Sequence, residues 1–408
     1  MKIHLHTILS LFLFVTAVSK ADWQPQTSGT TENLYSVYFL NEVTGWAVGA
    51  NGKIVNTTNG GTTWVTQTSG TTQTLFSVKF VTQSLGYIVG SLNTSLRTTN
   101  GGVNWVSMGI ANMTSINEID FGDINTGYVC GADGDISKTT NGGINWVKSD
   151  LSSTDFFVIE AVDENTVYVC GISGTIYRTT NGGTNWTQQI TGSNNYISSI
   201  VFTDASNGYF TTLGLTEDVR RTTNGGLNWA AVTSPGNSSG LNDLSAVSSS
   251  VVYAAGPNGI IRRTTNSGTS WETQPSGDTL TYLRGIFMVN NNVGYVVGNG
   301  GRILKTLNGG IGIQQISTIV PDGFKLAQNY PNPFNPVTNI EFSVPASGNV
   351  KLTVFDVSGR SVETLVNGKL QAGVYKVDFY AGELASGIYF YTLESPGFSI
   401  TKKMILVK

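Results

Sequence analysis

Three carboxylates open the question of chemistry. Glu118 and Asp120 stand two residues apart, and Glu160 falls at the place of Asp120 about one repeat further on. Paired carboxylates are what a glycosidase uses, one as acid and one as base or nucleophile. Such residues also bind Ca²⁺, but no loop of the chain has a dense Asp/Asn ligand spacing. The plainer reading of the three is solvated charge at a channel mouth. A second set is cationic: Arg97, Lys138, Arg178, Arg221, Arg263 and Lys305, each just before a recurring turn, with Asn56 at the first such place. Six cations on one face would sum to a positive potential, attractive to an acidic segment or an anionic glycan. Because they follow the repeat, each more simply pairs with a local carboxylate or covers apolar surface with its stem.

Other chemistries are excluded by what is missing. The two histidines, His4 and His6, lie in a segment that reads as a removable leader. The mature chain would have none, which rules out Ser-His-Asp and Cys-His catalysis and His-ligated metals. The two cysteines, Cys130 and Cys170, occupy equivalent places in neighbouring repeats. Equivalent strand positions are expected to lie too far apart for a disulfide, so both read as small buried hydrophobes. No cofactor is expected.

The elements that would position these residues come from one repeated unit. Thr57-Thr58-Asn59-Gly60-Gly61-Thr62-Thr63-Trp64 returns in variants ending at Trp105, Trp146, Trp186, Trp229 and Trp271, at steps of 41, 41, 40, 43 and 42 residues. A seventh turn, Thr306-Leu307-Asn308-Gly309-Gly310, lacks the tryptophan, and Trp23 near the N-terminus supplies it. Each unit reads as four short strands, typified by Leu34 to Leu40, Gly45 to Gly49, Lys53 to Thr57 and a strand starting at Trp64. Units of this size with four strands are propeller blades. The expectation is an all-β, seven-bladed β-propeller in which Trp23 to Thr27 closes the last blade and leaves no open edge. The Asn-Gly-Gly turns favour positive φ, and the tryptophan packs between blades.

Composition agrees. The chain has 408 residues, 49 glycines, 10% aromatics, 12% charged residues and a net charge of −3. Nothing suggests nucleic acid as a partner. Residues 1–21 read as a secretory signal, with Lys2, the apolar run Ile8 to Val18 and Ser19-Lys20-Ala21 before cleavage. That run is too short to span a bilayer, and no later stretch is apolar enough.

The turn motif, Thr-x-Asn-x-Gly-x-Thr/Asn/Ser-Trp, resembles the Asp-box or bacterial neuraminidase repeat, with Asn in place of Asp. The whole unit, with Gly-(Trp/Tyr)-x-Val-Gly before it, is most similar to photosystem II assembly factors and their relatives in non-photosynthetic bacteria. The resemblance covers Trp23 to Ile313 and implies a fold; in these families the box is a folding element away from any active site. Sialidases share the box, but their asymmetric arginine triad is not matched by cations that recur once per unit.

From Val320 the period stops and prolines cluster. Tyr330-Pro331-Asn332-Pro333-Phe334, Val354-Phe355-Asp356-Val357-Ser358-Gly359-Arg360, Ala385-Ser386-Gly387-Ile388-Tyr389-Phe390-Tyr391 and the closing Lys402-Lys403-Met404 resemble the C-terminal sorting domain of type IX secretion. The resemblance implies an immunoglobulin-like β-sandwich, handling by that machinery, and export through the outer membrane to the surface or outside. The expected domains are a signal peptide (1–21), propeller (22–313), linker (314–322) and sorting sandwich (323–408). The expected function is a non-enzymatic exported scaffold binding a protein or surface polymer. The alternative is a carbohydrate-active enzyme of glycosidase or sialidase type, using channel carboxylates.

Overall fold

A computed structural model describes residues 23–214, 219–232, 240–277, 280–310, 313–381 and 384–408. The expected signal peptide, with His4 and His6, lies outside the described residues.

The propeller consists of seven four-stranded antiparallel sheets. Blade one runs outward through Leu34–Phe39, Gly45–Gly49, Ile54–Thr57 and Val65–Gln67, and the other blades repeat the order. Blade seven takes three strands from Leu283–Met288, Gly294–Gly298 and Ile303–Thr306, and its outer strand is Gln24–Gln26. Gln24 pairs with Lys305 and Gln26 with Ile303, so the N-terminal residues close the ring. Each inner strand packs beside the next, and Leu283–Met288 returns to Leu34–Phe39.

The apolar alternation of these strands builds layers between blades rather than one central core. Seven hydrophobic clusters each combine two successive blades. At the closure, Phe39 of blade one stacks on Tyr295 of blade seven with 3.6 Å between centroids, and Trp64 meets both rings edge-on. An aromatic of this size buried on both sides stabilises its interface by several kcal/mol, on the order of 3–5 by truncation.

The turn motif folds as one hydrogen-bonded unit. In blade one the Thr57 hydroxyl donates to Asn59 Oδ1 (3.0 Å) and accepts the Gly61 N–H (2.8 Å), while Asn59 Oδ1 accepts the Thr63 N–H (2.9 Å). Gly60 and Gly61 take φ of 64° and 82°, the region where a Cβ is strained. In the sixth turn Ser267 occupies the same region at 59°.

The tail has its own hydrophobic core between two four-stranded sheets. One contains Val337–Val344 and Gly373–Tyr380; the other contains Gly348–Phe355, Ser361–Leu370, Gly387–Ser395 and Phe398–Leu406. The expected linker differs from the structure. Gln314–Ser317 is a strand that pairs with Gly373–Tyr380, so backbone hydrogen bonds tie it into the sandwich.

Candidate functional site

The inner strands set the geometry of the channel. Each is an edge strand, bonded to its sheet on one side and turned to the channel on the other, where its backbone N–H groups need acceptors. Side chains of the preceding blade supply them. At the position of Ser36, the Ser36 hydroxyl accepts the Val78 N–H (3.4 Å), Glu118 Oε2 that of Ile159 (2.8 Å), Ser199 that of Leu244 (3.1 Å) and Asp243 Oδ2 that of Ile286 (2.9 Å). Two residues on, Asp120 Oδ2 accepts from Ala161 (2.8 Å), Glu160 Oε1 from Phe202 (3.2 Å) and Ser245 from Met288 (2.9 Å).

This assigns a structural job to all three expected carboxylates. Asp120 also pairs with Lys79 at 2.5 Å. Burial and the neighbouring Asp120 push Glu160 up to about 8, against the pull of Lys79. Burial raises Glu118 well above the usual carboxylate range against the pull of the Ile159 N–H, and the charges of Asp120, Asp243 and Glu160 raise it further. Asp243, pushed up by burial to about 6, completes the group. Among the described residues no cluster of His, Cys, Asp and Glu has the form of a metal site.

The cations form a ring set back from the channel. They lie on third strands, two strands out from the channel, each opposite an aromatic ring of its own second strand: Arg97 opposite Tyr87, Lys138 opposite Tyr128, Arg178 opposite Tyr168, Arg221 opposite Tyr209, Arg263 opposite Tyr253 and Lys305 opposite Tyr295. Five of them sit over that ring at 5.4 to 5.8 Å. Lys138 donates to the Gly182 carbonyl (2.7 Å) and Lys305 to that of Gly60 (2.6 Å), in both cases the turn of the next blade. Arg263 pairs with Glu272 at 3.0 Å. Five of the heads are therefore engaged in stacking, and the two lysines also join blades.

The cysteines are buried free thiols, pushed well up by burial.

Sequence reasoning missed the residues that converge most closely. A cavity of about 380 Å³ opens at the end of the channel where the inner strands begin. Every blade lines it with the residue before the Ser36 position: Tyr35, Phe76, Asn117, Phe157, Ser198, Asn242 and Arg284. In six blades the pairing register shifts there by one residue, as between Leu34 and Ser36. Such a β-bulge re-aims the extra side chain, here into the mouth. Tyr196 and Tyr282 add two more rings.

Comparison with known proteins agrees with this architecture. The family described as photosynthesis system II assembly factor YCF48 matches residues 67–238, and the secretion system C-terminal sorting domain matches residues 328–408. The propeller region is YCF48-like, and the tail is a type IX secretion sorting domain. A structure described as YCF48 bound to D1 peptide is 21% identical, covers 71% of this chain and 98% of its own, and superposes with a TM-score of 0.61. YCF48 from Cyanidioschyzon merolae is 22% identical over 70% of this chain and 99% of its own, at 0.60. Streptogramin B lyase, at 14% identity, still covers 70% of this chain and 97% of its own at 0.59, which shows how widely the fold is shared. No curated protein matches the chain. The sorting domain implies handling by type IX secretion and export to the cell surface or outside. No helix among the described residues is long and apolar enough to cross a membrane.

Proposed function

We propose that the chain is an exported, non-enzymatic scaffold whose propeller binds a protein segment at the channel mouth. In this reading residues 1–21 direct the first export step and the tail the second. The observation that carries it is the convergence of one bulged or equivalent side chain from every blade on a single cavity. These seven positions differ in type while the surrounding repeat is nearly uniform, which is the arrangement a binding site on a repeat fold requires. That a YCF48 structure is described with a bound peptide supports a peptide as the ligand class.

The geometry weighs against the glycosidase alternative. Of the three expected carboxylates only Glu118 lines the cavity; Asp120 and Glu160 do not. Asp243 does line it, but its oxygens already accept from Ser199, Leu244 and Ile286. It also weighs against the cation ring as the binding face, because five of the six cations already lie over a tyrosine of their own blade and both lysines bond to the next blade's turn.

The test is affinity capture from the producing cell's surface fraction with the tagged chain. One parallel bait carries Phe157→Ala and Tyr196→Ala, and another Arg97→Ala and Arg178→Ala. A partner lost by the mouth variant and kept by the cation variant supports the proposal. Loss only with the cation variant moves the site outward; turnover of a glycan that disappears in Glu118→Gln would restore the enzyme.

A further inference from the structure

The two sides of the mouth are built differently. On the blade-seven side Arg284 is already enclosed. Its guanidinium lies 4.5 Å from the Tyr35 ring and 4.8 Å from the Tyr282 ring, and its Nε donates to Asn299 Oδ1 at 2.6 Å. On the side of blades two to five, Phe76, Phe157 and Tyr196 offer the same kind of surface, with Phe157 and Tyr196 tilted together at 4.5 Å, and no cation among the described residues sits over them. Glu118 lines the cavity beside them. One of its oxygens caps the Ile159 N–H; the other has no hydrogen-bond or ion-pair partner among the described residues. The other acids are served: Asp120 by Lys79 and Ala161, Glu160 by Phe202 and the nearby Lys79, and Asp243 by three donors.

We infer that this side of the mouth receives one cationic side chain, lysine or arginine, of the bound protein segment, against Phe76, Phe157 and Tyr196 with its charge on the free oxygen of Glu118. Aromatic faces attract cations through their quadrupoles, and an enclosed carboxylate strengthens the attraction. Arg284 shows that arrangement in the same mouth. The inference rests on the scaffold reading and names the chemistry of its partner.

A consequence concerns protons. Glu118 is raised by the Asp120, Glu160 and Asp243 carboxylates and acts on the Cys130 and Cys170 thiols and the Tyr196 hydroxyl. Its raised pKa means that a bound cation must draw a proton off, so binding strengthens as pH rises and releases a proton.

The test uses the full chain and two capped pentapeptides, acetyl-Gly-Gly-Lys-Gly-Gly-amide and the same peptide with norleucine for lysine. Titration calorimetry in two buffers of different ionisation enthalpy reads affinity and proton count together. The lysine peptide should bind roughly tenfold more tightly, with proton release. Glu118→Gln should reduce it to the norleucine level. Glutamine still accepts from Ile159, so a melting temperature no lower than the parent's separates lost binding from lost folding. Phe157→Leu should weaken the lysine peptide without touching Glu118.

Equal binding of the two peptides, no binding of either at millimolar concentration, or a lysine preference that survives Glu118→Gln would overturn the inference. So would a preference for a free C-terminal carboxylate abolished by Arg284→Gln. If Glu118→Gln still captures the partner that the mouth variant loses, the scaffold reading stands and only this inference fails.

Discussion

Asp243 offers a direct measure of what the channel carboxylates do. It lies on the inner strand of blade six and accepts from Ser199 (2.8 Å), Leu244 (2.9 Å) and Ile286 (2.9 Å), yet burial outweighs these bonds and lifts it to about 6. The unfolded chain releases this proton near the ordinary value of about 4. Between those values the native state therefore binds more protons than the unfolded one. Stability falls as pH rises through that window and is level above it. A shift of roughly two units corresponds to about 3 kcal/mol, and water at the mouth reduces it to about 2. Asp243→Asn resembles the protonated acid at every pH, so its difference from the parent should change by that amount between pH 4 and pH 8. With about 2.1 cal/mol/K of unfolding entropy per residue, a propeller of about 290 residues gains roughly 3–4 °C relative to the parent. All eight tryptophans, Trp23 to Trp271, lie in the propeller, so fluorescence melting reports on it and not on the tail. Removing the Asp243 charge also lowers Glu118 and Glu160, which it raises, and this acts in the same direction. Parallel pH profiles for parent and variant would refute the reasoning.

Other expectations follow from the same contacts. Thr222→Val removes the buried acceptor of the Gly226 N–H (2.9 Å) and should cost about 1–3 kcal/mol by chemical denaturation. Trp23→Ala, at a side chain with no exposure in the closing blade, should cost about 3–5 kcal/mol and raise protease sensitivity at blade seven. Lys305→Met, which deletes the bond to Gly60 across the closure, should cost about 1–2 kcal/mol by melting while leaving partner capture intact. Cys130 and Cys170 should resist thiol reagents until the propeller is unfolded, because burial holds both as neutral thiols.

The blades were legible because each copy repeats turn chemistry and strand alternation together. The offset of Trp23 against the turn at Asn308 was enough to foresee the closing strand that Gln24–Gln26 forms. The tail was read less fully. Ser361–Leu370 was not foreseen, since Asn367-Gly368-Lys369 interrupts its apolar pattern, and Gln314–Ser317 is short and polar and owes its strand to pairing with Gly373–Tyr380. The site was missed for a local reason. Strict alternation turns the Ser36 and Tyr38 positions to the channel and Tyr35 away from it. The bulge adds a residue and brings Tyr35 and its equivalents to the mouth. The cation pattern was visible, but its use depended on the tyrosine opposite each cation and on the next blade's turn, which no spacing along the chain reveals.

The most direct test of the central claim is site-directed photocrosslinking in the producing cells, with a photoreactive phenylalanine at position 157 in the mouth or at position 97 on the third strand of blade two. The account predicts that the mouth probe gives a discrete protein adduct and that the third-strand probe gives none. An adduct from position 97 with none from position 157 would contradict it and place binding on the outer part of the ring.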